Sequence, residues 1–269
     1  HPEKEESEMK KSFLIDRTVK KLVPWLLPVL ILLGWLLFSK IGLLPNKILP
    51  APTDVLLTGT KLIRSGELFG NLLVSLQRAV IGFLIGGSIG FLLGLINGLF
   101  RLTESLLDTT IQMVRNVPHL AMIPLVVIWF GIGEEAKVFL VAIGVLFPVY
   151  VNTLHGIRSV EQGLMEMGRV YGLRATPLFW QVVLPGALPS ILVGVRYALG
   201  IMWLTLIVAE TIAADAGIGF MAMNAREFMQ TDIVVLSILL YALFGKLADS
   251  AARSLERRFL KWHPNYQNH

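Results

Sequence analysis

The stretch Ala79–Leu99 reads AVIGFLIGGSIGFLLGLINGL, which is 21 residues without a charged side chain. A helix of about 20 apolar residues crosses the hydrocarbon core of a bilayer. Glycine recurs at every fourth position from Gly82 to Gly98. On a helix this spacing forms a smooth groove that lets a second backbone approach closely, and we interpret it as a packing surface rather than a substrate site. The stretch predicts a transmembrane helix inside a compact bundle.

The composition of the whole chain is that of a membrane protein. Of its 269 residues, 54% are hydrophobic and 16% are charged, against about 25% charged in an average soluble domain. The net charge of +5 is explained by basic cytoplasmic loops, so no nucleic-acid partner is expected. The chain has no cysteine, which excludes disulfides, thiolate metal sites and cysteine nucleophiles.

Apolar stretches predict an all-α, polytopic membrane bundle with about six transmembrane helices. The third stretch is the shortest, and we expect it to form a hairpin with the fourth. The first is either a cleaved signal peptide or a retained anchor, and the lack of a small-x-small cleavage site before Pro45 favours the anchor. The stretches are Leu22–Phe38, Ala79–Leu99, Pro118–Phe130, Val138–His155, Ala187–Ala209 and Ile233–Ala248.

The distribution of lysine and arginine predicts that both termini are cytoplasmic. With that orientation, sixteen of the 24 basic residues fall on the cytoplasmic side and seven on the outer side. We therefore expect a cytoplasmic tail at 1–21, one membrane domain at 22–260 and a second cytoplasmic tail at 261–269. Between the first two spans, Thr53 is expected to cap an amphipathic helix on the outer surface.

The segment Glu161–Pro189 predicts two cytoplasmic helices separated by Gly172. We expect Thr176 to be the N-cap of the second helix and Leu184-Pro185 to end it. Apolar side chains in this loop expose more apolar surface than a connector needs, which is typical of a docking site for a partner. They are Leu178, Phe179 and Trp180.

The spacing in this segment resembles the cytoplasmic loop of binding-protein-dependent ABC importer permeases. The family pattern is Glu-Ala-Ala-x3-Gly-x9-Ile-x-Leu-Pro, and this chain has Glu166-Met167-Gly168, then Gly172, then Val182-x-Leu184-Pro185 at the same spacing. The resemblance implies a type I importer permease whose loop 158–186 forms coupling helices that fit into a cleft on a separate ATPase. The coupling residues it implies are Glu166, Met167, Gly168, Gly172, Leu184 and Pro185.

Four further stretches are similar to the branch of this family that carries sulfonates, taurine, nitrate and related small oxyanions: residues 49–52, 115–120, 129–133 and 204–211. Residues 107–157 and 221–232 look most like aliphatic sulfonate permeases, while taurine, nitrate or another oxyanion stay open. The resemblance implies a bacterial inner-membrane protein that works as two permease copies with two ATPase subunits and an extracytoplasmic substrate-binding protein. ATP and Mg²⁺ are then expected on the ATPase, and no cofactor on this chain.

The residues themselves agree that the chain is not an enzyme. Gly245-Lys246 is followed by Leu247, so it is not a phosphate-binding loop, and no His-Glu-x-x-His metalloprotease motif occurs. An ion-coupled secondary transporter is the main rival from another class. Such carriers usually place acidic groups near mid-membrane, and the predicted spans contain none.

Arg196 is the one lysine or arginine near the middle of a predicted span. Either it faces a polar pathway, where it would meet an anion, or it pairs with backbone carbonyls and a neighbouring helix; both interpretations stay open. Trp203, seven residues further on nearly the same helix face, could contact the apolar tail of a sulfonate. We expect Glu210 to be a solvated helix end and His119 an interfacial residue.

Overall fold

The computed structural model describes residue 23 and residues 25–43, 45–212 and 214–262. The predicted all-α architecture is confirmed, and these residues contain no strand. A 3₁₀ turn at His119–Met122 precedes α5, and a wide π turn at Phe179–Val183 joins α8 to α9. The helices are α1 (Trp25–Lys40), α2 (Pro52–Ser65), α3 (Glu67–Leu99), α4 (Arg101–Arg115), α5 (Ile123–Phe130), α6 (Glu134–Arg158), α7 (Gln162–Val170), α8 (Ala175–Leu178), α9 (Leu184–Ile212), α10 (Ile218–Glu227) and α11 (Thr231–Phe259).

Within the described ranges, four helices are long and apolar enough to cross a membrane: α3, α6, the continuous helix Ala175–Ile212 and α11. A fifth crossing results if α4 and the segment His119–Phe130 are counted as one span. The helix α1 is apolar but shorter. Four of the six predicted spans thus correspond to long helices, the first corresponds to the short helix α1, and the third corresponds to the segment His119–Phe130. The predicted tail at 1–21 and most of the tail at 261–269 lie outside the described residues.

The predicted third span, Pro118–Phe130, is not one straight helix. It is a 3₁₀ turn followed by the eight-residue helix α5, and it meets α4 at an angle of 77°. Pro118 explains the bend, because proline lacks an amide hydrogen and disfavours a helical conformation in the residue before it. The predicted hairpin with α6 is present, since α5 packs on α6 through Val126 and Leu140.

The glycine row of α3 is a packing surface, as predicted, and the helix that packs on it is α6. An ideal Cβ added at Gly82 would lie 2.6 Å from Cγ1 of Val141, and one added at Gly94 would lie 2.7 Å from Cβ of Thr153. At Gly86 the added atom would overlap the backbone of Ala142. The backbones of the two helices therefore lie closer together than larger side chains permit.

The helix α9 contacts α3, α6, α10 and α11. Four of its buried residues recur at every fourth position and belong to the row that faces the rest of the bundle: Gly194, Ala198, Met202 and Leu206. Val145 and Val149 of α6 and Tyr241 of α11 belong to the same apolar cluster. The opposite face of α9 stays exposed.

Three predicted helix boundaries are wrong. The helix α2 begins at Pro52 with Ala51 as its N-cap, so Thr53 does not cap it. The helix α8 begins at Ala175, so its N-cap is Arg174 and not Thr176 as predicted. Pro185 does not end the second coupling helix, because α8, the π turn and α9 run on as one continuous helix, Ala175–Ile212, and Pro185 lies inside it.

Candidate coupling segment and buried charge cluster

The chain turns at Gly172 between α7 and α8. Gly172 has φ +81°, in the left-handed region that glycine adopts readily. The amide of Leu173 donates to the carbonyl of Gly168 at 3.0 Å, and the amide of Gly172 donates to the carbonyl of Arg169 at 2.9 Å. These two bonds form a Schellman cap. Glycine is favoured here by the backbone conformation and not by a lack of space, because a Cβ at this position would have no atom within 4 Å.

The helix α7 has an apolar face that is open to solvent. Met167, Val170 and Tyr171 are 51%, 86% and 80% exposed. Trp180, in the π turn that follows α8, is 62% exposed. Gly168 lies on another side of α7, against Leu178, where an added Cβ would be 2.6 Å from Cδ1 of that leucine. The segment therefore presents an unpartnered apolar surface on a short, closely packed pair of helices.

The other predicted coupling residues occupy different surroundings. Glu166 is exposed and lines a cleft together with Gln162 and Arg169. At 3.6 residues per turn, these three positions lie on the opposite side of α7 from Met167 and Tyr171. Leu184 and Pro185 are half-buried at the start of α9, and Leu184 packs on an apolar cluster at the end of α6 that contains Ile157 and Val160.

Arg196 pairs with a neighbouring helix, which is the second of the two arrangements considered from the sequence. Its Nε donates to Oδ1 of Asp249 in α11 at 2.6 Å, and its side chain is 38% exposed. Trp203 is buried inside the subunit, and its ring stacks on Phe244 with centroids 5.5 Å apart. Its Nε1 has no hydrogen-bond partner among the described residues.

The exposed face of α9 carries Tyr197, Gly200 and Leu204. The first and last of these are both 66% exposed. Tyr197 and Gly200 line a cavity of about 390 Å³ together with Arg196 and Asp249. The Arg196–Asp249 pair therefore borders this open face, whereas Trp203 points away from it into the subunit.

The prediction that Glu210 is a solvated helix end is wrong. Its side chain is fully buried and accepts a set of hydrogen bonds from three other helices. The donors are the hydroxyl of Ser75 at 2.8 Å, Nη1 of Arg78 at 2.9 Å, the hydroxyl of Tyr241 at 2.8 Å and the amide of Gly219 at 2.9 Å. A buried carboxylate is tolerated only when it is paired and hydrogen-bonded in this way.

Arg78, which the sequence places in an outer segment, is the partner of Glu210 and is equally inaccessible. Its side chain is 2% exposed, and its Nε donates to Oε2 of Glu134 at 2.6 Å. Its Nη1 also donates to the carbonyl of Ala216 at 2.6 Å. We call Ser75, Arg78, Glu134 and Glu210 the outer charge cluster.

The outer charge cluster fixes the start of α10. The amide of Gly219 donates to Glu210, and the amide of Ile218 donates to Ser75 at 2.9 Å. The amide of Gly217 donates to Oδ1 of Asn71 at 2.8 Å. The first amides of α10 thus receive partners from α3 and α9. This network binds α3, α6, α9 and α10 together at one end of the bundle.

Acidic residues do occur within the helices that cross the membrane. The predicted spans ended at Ala209 and Ala248, whereas α9 and α11 extend far enough to include Glu210 and Asp249. The argument against an ion-coupled transporter from missing carboxylates is therefore wrong. Both carboxylates are paired with arginine.

The outer charge cluster could have been predicted from residue spacing, because Arg78 and Glu210 each lie in line with a row of buried residues. Arg78 lies four residues before Gly82, so it continues the glycine row of α3 that faces α6. Glu210 lies four residues after Leu206 and continues the buried row of α9. A charged residue in line with a buried row needs an oppositely charged partner.

His119 connects the bend before α5 to α9. Its Nε2 lies 2.9 Å from Oγ1 of Thr205. A Cβ added at Gly144 of α6 would lie 2.9 Å from that same hydroxyl, so the three elements meet closely here. The described part of the chain contains no group of three or more His, Asp or Glu side chains that could hold a metal ion.

The family model for the binding-protein-dependent transport system inner membrane component matches residues 86–261. The chain belongs to this family. It is the membrane permease of an ABC importer, and family membership implies a partner ATPase and a substrate-binding protein. The match covers the end of α3, the predicted coupling segment (residues 158–186) and the helices through α11.

Two relatives of the permease come from Escherichia coli (strain K12). The chain is 61% identical to an aliphatic sulfonates transport permease protein, SsuC, over 94% of this chain and 96% of that one. It is 37% identical to a taurine transport system permease protein, TauC, over 87% of this chain and 86% of that one.

A solved structure titled as an amino acid ABC transporter with histidines shares the fold. It has a TM-score of 0.56 at 19% identity, and the match covers 74% of this chain and 96% of that one. The predicted fold of an ABC importer permease is therefore confirmed, and the predicted coupling segment lies within the part that the family model matches.

Proposed function

We propose that this permease imports aliphatic sulfonates. The higher identity to the sulfonate relative than to the taurine relative of the same organism supports this substrate class. In the proposed complex, two copies of the permease enclose one pathway, each copy binds one ATPase subunit, and an extracytoplasmic binding protein delivers the sulfonate. ATP and Mg²⁺ bind to the ATPase subunits.

The observation that carries the coupling part of the proposal is the apolar face of the coupling segment. Met167, Val170 and Tyr171 are more than half exposed beside a bend fixed by Gly172. Large apolar groups at the centre of a small surface patch are typical of a protein contact. We assign this face, together with Trp180, to contact with the ATPase.

The exposed face of α9 supports the position of the pathway. In a dimer with facing α9 helices, Tyr197, Gly200 and Leu204 of both copies would border the central path. Arg196 would lie at the edge of the path, with part of its charge neutralised by Asp249. A partly neutralised guanidinium attracts an anion without holding it tightly, which transport requires. The contact of Trp203 with a sulfonate tail stays a prediction, and its burial against Phe244 favours a packing role in the subunit.

The proposed mechanism is alternating access. ATP binding closes the ATPase pair and brings the two coupling segments together. The membrane helices then turn from inward-open to outward-open, and the binding protein releases its sulfonate into the path. Selectivity among oxyanions is set chiefly by the binding protein, since the exposed α9 face offers few polar groups.

The test is uptake of labelled ethanesulfonate, taurine and nitrate by the complete complex in liposomes. We expect ATP-dependent uptake of ethanesulfonate above that of the other two anions, and slower uptake with Arg196→Ala. Nitrate uptake without sulfonate uptake would refute the substrate class. An unchanged rate with Arg196→Ala would refute the role of that residue only.

A second measurement separates this proposal from ion-coupled transport. Liposomes that contain the permease alone should show no uptake in a proton or sodium gradient. The mass of the solubilised complex should correspond to two permease copies and two ATPase subunits, and one permease copy per two ATPases would contradict the proposed pathway.

A further inference from the structure

A cleft of about 700 Å³ opens between the ends of α3 and α6, the start of α4 and one face of α7. Its charged lining residues are Arg101, Glu104, Arg158, Glu166 and Arg169. Aliphatic side chains, among them Leu99 and Met165, form the remaining wall. The cleft therefore suits a ligand that has both a charged head and an apolar tail.

The charges in the cleft leave two arginines without an acidic partner. Arg158 forms an ion pair with Glu104. Arg101 and Arg169 have no carboxylate within 4.0 Å among the residues that the structure describes. With Glu166 included, the three arginines and two glutamates give the cleft a net charge of one positive unit. This balance matches a ligand with a single negative charge.

The position of Arg101 supports an anionic ligand. Arg101 is the first residue of α4, where the positive end of the helix dipole makes a cation unfavourable. Glu104, one turn further on, is already paired with Arg158. An anion in the cleft would offset the unfavourable position of Arg101.

The mouth of the cleft lies beside a helix suited to a membrane surface. Leu102, Leu106 and Met113 are 75%, 68% and 67% exposed and lie on one face of α4. The helix follows directly on the end of the transmembrane helix α3. An amphipathic helix in this position lies at the level of the lipid headgroups, with its apolar face towards the acyl chains.

We propose that the cleft binds the phosphodiester headgroup of an anionic phospholipid. Arg101 and Arg169 donate to the phosphate oxygens, which the planar guanidinium can contact with two hydrogen bonds at once. The acyl chain lies along Leu99 and Met165. The lipid occupies the side of α7 opposite to Met167 and Tyr171, and Val170 lies between this side and theirs. The proposal does not depend on which anion is transported.

The experiment measures phosphatidylglycerol binding to the delipidated permease–ATPase complex by native mass spectrometry. The test variant is Arg101→Gln combined with Arg169→Gln. The control is Arg115→Gln, at the other end of α4 and away from the cleft. We expect the double variant to bind roughly tenfold more weakly, as expected from the loss of charge-assisted hydrogen bonds. The control should bind as the wild type does. If the double variant does not assemble, Arg101→Gln alone is used.

Two competitors identify the ligand. Phosphatidylcholine, which has no net charge, should bind more weakly than phosphatidylglycerol. Inorganic phosphate should not displace the lipid, and displacement at equal concentration would show a free-anion site and overturn the lipid proposal. Equal binding by the wild type and the double variant would also overturn it. Binding that occurs only after removal of the ATPase would assign the cleft to that subunit instead.

Discussion

Replacing Gly172 tests whether the bend between α7 and α8 transmits movement. An L-amino acid in the left-handed conformation costs about 1–2 kcal/mol. No neighbouring atom adds to this cost, since a Cβ at Gly172 would meet none within 4 Å. A local penalty of this size changes the population of the native bend by a factor of roughly 5–30, while the membrane helices stay intact.

The assay is ATP hydrolysis by the reconstituted complex in response to loaded binding protein. We expect stimulation to fall in the order wild type, Gly172→Asn, Gly172→Ala, Gly172→Val, because asparagine tolerates the left-handed region better than alanine and valine tolerates it least. The amount of permease in the membrane should be the same for all four proteins.

The matched control is Gly163→Ala, in the helix α7 that precedes the bend. There the nearest atom to an added Cβ is Oε1 of Glu161 at 3.9 Å, and alanine is favoured over glycine in a helix by about 1 kcal/mol. This variant should couple normally. Normal coupling by Gly172→Val would mean that the bend does not transmit movement between the ATPase and the membrane helices.

Three further substitutions and one control, Gly87→Ala, test the packing, with thermal unfolding in detergent as the common measurement. Gly86→Ala should destabilise the permease by roughly 3 kcal/mol, because its Cβ overlaps the backbone of Ala142, whereas Gly87→Ala, with no atom nearer than 3.8 Å, should be almost neutral. Glu210→Gln should cost about 3 kcal/mol, since it removes one partner of a buried ion pair, and an unchanged melting temperature would contradict this account of the cluster. Trp203→Phe should lower stability slightly and leave sulfonate uptake unchanged; a changed substrate preference would instead favour the pathway role.

Periodic features of the chain were predictable because they follow from helix geometry. The four-residue spacing from Gly82 to Gly98 identifies both the helix and its contact face without knowledge of the partner helix. Gly172 was predictable for a similar reason, since it separates two helical patterns. The physical reason for this glycine was not, because a sequence does not distinguish a crowded position from one that requires positive φ.

Features that depend on a distant partner were not predictable from hydropathy. Hydropathy predicts that the charged side chains of Arg78 and Glu210 are exposed to solvent. Their burial is favourable only because the fold brings the two side chains together as an ion pair. The same holds for Arg196, where the sequence left two arrangements open until Asp249 of α11 was located beside it. The predicted third span began at Pro118, whereas the α-helix begins only at Ile123. Hydropathy did not predict this difference, because it measures how apolar a stretch is and not whether the chain bends within it.

The wide turn at Phe179–Val183 has a mechanical consequence, because it leaves Ala175–Ile212 as one helix of 38 residues. At 1.5 Å per residue such a helix is about 57 Å long if it is straight. In the proposed complex, a movement of α8 at the ATPase would tilt the whole helix. A tilt of about 5° moves the far end of a rod of this length by about 5 Å. That end carries Glu210, so in the proposed complex a small tilt imposed at the ATPase would reach the other end of the bundle as a pull on the loop before α10.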